Sequence, residues 1–247
     1  NRNETFNEKQ FIYSTGDNPK PIFALSNDLN NDNRSDLIIV NSATDNFDII
    51  FENFNNDKYP DIAVTFSGDF NNDVQLDIVV VNWATNNIVI LFGYNYGYFH
   101  NMKSYSTGNN SNPTYIDIAD FNNDYQLDIV VVNKGSNNIL ILLGDKNGRF
   151  QNLISYSTGY GSKPESLAIS DLNNDNNMDI IVANVYTHNI AIFFGYGNGK
   201  FHNMITYKTE GPIAISIADL NYDYNKDIAI ANYLGNNIGI LFGYVNR

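Results

Sequence analysis

Short apolar runs rich in Ile, Val, Leu and Phe recur along the chain, bounded by clusters of Asn, Asp, Gly and Ser. None keeps a sustained apolar period of 3.6 residues, so the pattern predicts strands and turns rather than helices. One set of runs, "LIIV", "IVVV", "IVVV", "IIVA" and "IAIA", opens each time on Asp and closes on Asn41, Asn82, Asn133, Asn184 and Asn232. After the last four come "NNIVILFG", "NNILILLG", "HNIAIFFG" and "NNIGILFG". The Asn-Asn or His-Asn pair at their head suits a tight hairpin that needs φ > 0.

The whole pattern repeats. An acidic nonamer precedes each Asp-opened run: "DLNNDNRSD" at 28, "DFNNDVQLD" at 69, "DFNNDYQLD" at 120, "DLNNDNNMD" at 171 and "DLNYDYNKD" at 219. A "YSTG" element stands at 13, 105 and 156, weakened to "YKTE" at 207, and Pro21, Pro113, Pro164 and Pro212 each lie seven residues before a nonamer. Each unit reads as four short strands; in the fourth these are "ISYSTG", "SLAIS", "DIIVAN" and "NIAIFFG". Four antiparallel strands every ~40–50 residues is the signature of a propeller blade. The expectation is an all-β, single-domain β-propeller over 1–247, with about five four-stranded antiparallel blades at 6–59, 60–99, 100–150, 151–201 and 202–247. Its ring would close by pairing the N-terminal "FIYSTG" strand into the C-terminal blade.

One unit departs from the rule. Between 28 and 69 about ten residues and the "YSTG" strand are missing, which predicts one blade short of an outer strand. In their place stands "NFNNDKYPD", whose Asn53, Asn55, Asp57, Tyr59 and Asp61 resemble a degenerate sixth nonamer. It reads as a decayed junction, with a true sixth loop as the alternative.

Within the nonamer, positions 1, 5 and 9 are Asp and position 3 is Asn in all five copies. An ordinary Asx-rich turn predicts a mixture of Asp and Asn, not one residue type held at each place. Alternating oxygen-bearing side chains on a tight loop can converge on one point, and a hard divalent cation taking six to eight oxygens in loose geometry is Ca2+. The candidate ligands are Asp28, Asn30, Asp32, Arg34 and Asp36; Asp69, Asn71, Asp73, Gln75 and Asp77; Asp120, Asn122, Asp124, Gln126 and Asp128; Asp171, Asn173, Asp175, Asn177 and Asp179; and Asp219, Asn221, Asp223, Asn225 and Asp227. The variety at position 7 suits a backbone carbonyl ligand. An EF-hand is excluded, because position 12 is Ile39, Val80, Val131, Val182 or Ile230 rather than Glu.

Composition agrees. The formal charge of −13 argues against nucleic acid and anionic membranes as partners, and 15 of the 22 aspartates sit in the five nonamers. About five Ca2+ would offset most of that charge. No apolar run approaches the ~18 residues of a membrane span. With no cysteine, disulfides, thiol catalysis and zinc–thiolate sites are excluded. The first residue is Asn, so the sequence is expected to be a processed product or a fragment.

These residues resemble FG-GAP/VCBS repeats, the blades of integrin α-subunit propellers and of many secreted proteins. The "LFG" at 91–93 and 241–243, the "FFG" at 193–195 and the "TG…P" elements stand where that family's motif stands, and the resemblance runs from about Phe6 to Tyr244. It implies calcium in the loop between a blade's first two strands, on one propeller face. It also implies ligand binding by loops of the opposite face, often in adhesion or carbohydrate recognition. The departure is position 6, usually Gly, here Asn33, Val74, Tyr125, Asn176 or Tyr224. Where φ > 0 is required, Val is costly. Asn at position 3 removes a charge per site, which favours an affinity near the ~10⁻⁴–10⁻³ M of extracellular modules.

No nucleophile motif, phosphate loop or "HExxH" occurs. His100 and His202 occupy equivalent repeat positions, where Gln151 stands in another unit, and His188 replaces a turn Asn, so none is read as catalytic. Tyr94 and Tyr96 in "GYNYGYF" and the repeat-breaking Trp83 are candidate ligand contacts; the tyrosines' alternative role is packing against a neighbouring blade. Sequons mark Asn3 and Asn109 as candidate glycosylation sites, with Asn33 constrained inside an acidic loop. The expected function is a non-catalytic extracellular calcium-binding module for ligand binding, adhesion or scaffolding, with a protein or glycan ligand on one face. Alternatives are a lectin-like binder, a structural unit of an extracellular assembly and, last, a polysaccharide-degrading enzyme.

Overall fold

The computed structural model describes residues 21–27, 36–41, 65–94 and 98–244. Those residues form strands and turns and no helix. The first pair is β1 (Pro21–Asn27) with β2 (Asp36–Asn41). A four-stranded sheet follows: β3 (Thr65–Gly68), β4 (Asp77–Asn82), β5 (Asn87–Tyr94) and β6 (Tyr98–Ser106). The next contains β7 (Pro113–Ala119), β8 (Asp128–Asn133), β9 (Asn138–Gly144) and β10 (Phe150–Ser157). A third contains β11 (Pro164–Ser170), β12 (Asp179–Asn184), β13 (Asn189–Phe193) and β14 (Ile205–Lys208). The last described sheet has three strands, β15 (Pro212–Ala218), β16 (Asp227–Asn232) and β17 (Asn237–Leu241).

Every described sheet is an antiparallel meander of strands consecutive in the chain. The acidic nonamer therefore joins a sheet's first strand to its second. The next turn is closed by facing Asn pairs such as Asn133 and Asn138, and its φ > 0 residue is Asn86, Asn137, His188 or Asn236, as the Asn-Asn pattern predicts. Acidic loop and third-to-fourth-strand hairpin share one end of each sheet; the Asn turn and the Thr-Gly loop share the other.

The phase of the repeat needs a correction. The sequence pattern predicts that the "YSTG" strand opens its own unit, yet β10 pairs with β9 and so closes the sheet before it. The hairpin 145–149 is short enough to return the chain onto β9, whereas the Thr158–Lys163 connection carries it to the next sheet. Repeat similarity sets a period; hydrogen bonding sets where the period is cut.

Successive sheets pack face to face. On β8, Ile129 and Val131 enter the cluster shared with β4 and β5, while Val130 and Val132 enter the one shared with β12 and β13. Both faces of the strand are buried, which explains an unbroken "IVVV" in place of apolar–polar alternation. The first strands lie next to one another, β7 beside β11 and β11 beside β15. At the seams, Tyr105 meets Phe150 edge-on at 5.7 Å and its hydroxyl accepts from the Phe150 amide at 3.3 Å. Tyr156 does the same to Phe201 one sheet later, at 5.5 Å and 3.1 Å. The Tyr of the repeated "YSTG" is thus a clamp between neighbouring sheets.

Ile141, fully buried between two sheets, tests this packing. Ile141→Ala is expected to lower unfolding free energy by about 2–5 kcal/mol in equilibrium urea denaturation, from lost burial plus the cavity left behind. An unchanged midpoint would contradict face-to-face packing at that strand.

Candidate metal centre

Four of the five nonamers lie wholly among the described residues, and all four adopt one geometry. In the loop between β7 and β8, Asp120 accepts from the Asp124 amide through Oδ1 (3.1 Å) and from the Tyr125 amide through Oδ2 (2.7 Å). Asn122 Oδ1 accepts from the Asp124 amide at 3.1 Å, and its Nδ2 donates to Asp124 Oδ2 at 3.0 Å. Asp124 Oδ1 accepts from the Gln126 amide at 2.8 Å. The bonds recur around Asp69 and Asp73, Asp171 and Asp175, and Asp219 and Asp223. The Asp side chains at positions 1 and 5 therefore have a structural role, since they tie down amides in a loop too tight to pair them otherwise.

Position 9 is different. Asp77, Asp128, Asp179 and Asp227 are completely buried. Asp128 Oδ2 accepts from the Phe121 amide and Oδ1 from the Gly144 amide, both at 2.8 Å. Gly93, Gly195 and Gly243 donate in the same way to Asp77, Asp179 and Asp227. This accounts for the glycine of the "FG" motif, because a Cβ on Gly144 would lie 2.3 Å from the Leu127 carbonyl oxygen. Burial pushes the carboxyls of Asp77 and Asp128 up to about 7 and that of Asp179 to about 6; the two amide donors oppose the shift, and the position 1 and 5 carboxylates add to it.

Position 6 has φ > 0 in all four loops: Val74 69°, Tyr125 63°, Asn176 65° and Tyr224 68°. The departure from Gly is thus a real backbone cost, greatest for β-branched Val74. Position 4 also has φ > 0, at Asn72, Asn123, Asn174 and Tyr222, which the sequence expectation does not include. Its Asn links neighbouring loops. Asn72 Nδ2 donates to Gln126 Oε1 at 2.6 Å, and Asn123 Nδ2 to Asn177 Oδ1 at 3.0 Å. The position 7 side chains of Gln126 and Asn177, interchangeable by the sequence pattern, therefore join their loops to the preceding ones.

The model of the FG-GAP-like repeat matches residues 69–131, 120–182 and 171–230, each match spanning one acidic loop and the next. The chain belongs to the FG-GAP-like repeat family. No curated protein matches it significantly. Among solved structures, an Agrocybe aegerita lectin described by its specific recognition of non-reducing terminal N-acetylglucosamine aligns with a TM-score of 0.58 and 16% identity, over 89% of this chain and 65% of the lectin. BBS1N, solved in complex with ARL6DN, aligns with a TM-score of 0.52 and 15% identity, over 86% of this chain and 66% of that one. A streptogramin B lyase aligns at 0.48 and 16% identity, over 72% and 55%. The chain spans 55–66% of the length of these three structures, and at such identity the lectin and BBS1N speak for the fold alone.

For a hard cation the FG-GAP loop offers oxygen only, and a carboxylate accepting one bond per oxygen keeps lone pairs to spare. The donor chemistry fits Ca2+. Among the described residues, however, no three His, Cys, Asp or Glu side chains form a ready-made metal cluster. Positions 1, 3 and 5 are turned onto loop amides, and position 9 serves the glycine.

The other candidates separate in space. Trp83 is 39% exposed in the Asn turn after β4, where its Nε1 lies 3.3 Å from the side-chain amide of Asn112, which accepts from it when that amide is turned over. Tyr94 is 53% exposed at the opposite end, beside the acidic loops, so the two do not form one surface. Asn109 is exposed in the loop before β7, while its sequon Ser111 is buried and bonded to Thr107 and Asn86. Asp28, Asn30, Asp32, Arg34, residues 53–61, Tyr96 and Asn3 lie outside the described residues, as does the side chain of Asp36.

The strained position 6 and the buried position 9 can each be tested. Val74→Gly is expected to raise stability by about 1 kcal/mol, since relief of the left-handed strain outweighs the added chain entropy; differential scanning calorimetry reads it, and a lower melting temperature contradicts it. In chelator, stability is expected to fall as pH rises from 5 to 8. The carboxyls of Asp77, Asp128 and Asp179 titrate above their unfolded value near ~3.9, so the folded state holds protons that the unfolded state has released. Their contribution is full below ~4 and is lost as pH passes their raised values, whereas the lowered Asp175 and Asp223 act only below that window. Melting curves at pH 5, 6, 7 and 8 check the sign.

Proposed function

We propose that the chain is a calcium-stabilised, non-catalytic propeller module of the extracellular space that binds a protein or glycan ligand. The supporting observation is the acidic loop itself, repeated at the same corner of successive sheets with one hydrogen-bond pattern. At three of these corners the charges at positions 1 and 5 raise the carboxyl at position 9. A divalent ion would offset that repulsion. The Asp at positions 1, 5 and 9, the Asn at position 3 and the position 7 carbonyl would hold it; the ion would supply charge compensation and loop order, not chemistry on a substrate.

The ring is proposed to have five blades. The burial of the third strands supports closure. Ile139 and Ile190 are buried by a following sheet, whereas Ile238 on β17 is 75% exposed, on a sheet that has three strands among the described residues. The N-terminal "FIYSTG" resembles the strand that stands fourth in the preceding sheets. Scaffolding and ligand binding share the same geometry; a fold of this kind does not itself choose between them. The extracellular assignment rests on the weak calcium affinity expected of a loop with Asn at position 3, which would fill at millimolar calcium.

Calcium removal tests the reading. Ions that bind only the native state stabilise it by mass action, so at about 1–10 times the dissociation constant the shift is about 0.4–1.4 kcal/mol per site. Excess chelator should lower the melting temperature by several degrees, and restored calcium should recover it. Identical melts with and without chelator would make the nonamers ordinary turns.

A further inference from the structure

Beside the acidic loop 171–179 lies an open cavity of about 480 Å³. Its walls are Phe194, Tyr196, Phe201 and His202, and Asn173 and Asn203 stand at its polar side. The rings of Tyr196 and His202 are stacked, with centroids 3.7 Å apart and planes 32° from parallel. Tyr196 is 53% exposed, so much of the stacked pair faces solvent. The described lining holds amides, aromatic rings and a histidine, and no Lys, Arg, Asp or Glu.

We propose that this cavity binds one neutral pyranose ring of a glycan, packed against the Tyr196–His202 platform and hydrogen-bonded by Asn203 and His202. A pyranose has an apolar C–H face and a rim of hydroxyls, which matches a flat π surface bordered by an amide and an imidazole. The volume lies in the range of small-ligand sites. The charge balance favours a neutral ligand. An anion would meet the net −13 of the chain and Asp175, which lies within electrostatic reach of His202. A cation would gain from Asp175 only while the acidic loop is metal-free. The inference thus rests on the reading of the chain as a calcium-loaded binding module.

The platform is not common to all the sheets. At the places of Tyr196 and His202 the preceding sheet carries Asp145 and Gln151, which cannot stack, whereas the sheet before that carries Tyr94 and His100. Two sheets earlier, a cavity of about 370 Å³ lies at the equivalent corner, lined by Asn71, Phe92 and Asn101 among others. There Lys103, in place of Ile205, stands 4.6 Å over the Phe92 ring and donates to the Gly148 carbonyl at 2.8 Å. Its cation covers the Phe92 ring, whose counterpart in the other cavity is Phe194.

The test is a glycan array probed with the full chain in millimolar calcium, carrying neutral, sialylated and sulfated glycans, with choline as a cationic competitor. Neutral pyranose glycans should bind. Titration of the best one should show Tyr196→Ala weakening it about tenfold, the loss of one stacking surface, with Tyr196→Phe retaining most of the affinity. Asn203→Leu should also weaken it, and Tyr186→Ala at the opposite end of the same sheet should leave it unchanged. Binding confined to acidic glycans, displacement by choline, no glycan binding at all, or wild-type affinity in Tyr196→Ala would each overturn the inference. A chelator-sensitive melt without glycan binding would remove this site and leave the calcium module standing; a chelator-insensitive melt would remove the module.

Discussion

The buried aspartate at the ninth position of each acidic loop is the interaction on which the described sheets depend. It lies at the start of a sheet's second strand and accepts one amide from its own loop and one from the glycine that ends the third strand. The loop and two strands are thereby joined at a single carboxylate. Both amides would otherwise be buried without a partner, at a cost of about 1–3 kcal/mol each. The acid must be Asp, because only a short side chain with two acceptor oxygens reaches both. The glycine must lack a Cβ, because the neighbouring carbonyl already occupies that space.

Electrostatics makes this joint conditional. Desolvation and the two carboxylates above hold the proton affinity of Asp77, Asp128 and Asp179 well above normal. In plain water near neutrality the loop therefore balances two amide bonds against the burial of charge. Any cation seated among the outer carboxylates tips that balance toward the ionised form. The side-chain amides that run from one loop to the next would carry the effect sideways, since Asn72 and Asn123 each grip the loop of the following sheet.

Much of the fold is legible in particular residues. The Asp-to-Asn apolar runs locate the second strand of each sheet, and the Asn-Asn pairs locate the hairpins together with their φ > 0 residue. The loop is legible as a unit, and Val74 stands out as strained at the position where φ proves positive. Less is legible of how the parts divide their labour. Variety at position 7 suggests a backbone ligand with an indifferent side chain, yet Gln126 and Asn177 bind the preceding loop. His202 has the look of a repeat feature, and its stack on Tyr196 depends on a hairpin that returns the chain upon itself over six residues.

The sequence by itself determined the period, the strand character and the chemical identity of the acidic corner, because these follow from local spacing and residue type. Only the tertiary structure decided which strand closes which sheet, which carboxylate is buried and which aromatic side chains meet. Those outcomes depend on packing between sheets brought together from different repeats. A periodic chain carries the same local signal in each copy, so it cannot by itself tell a copy's own partner from its neighbour's.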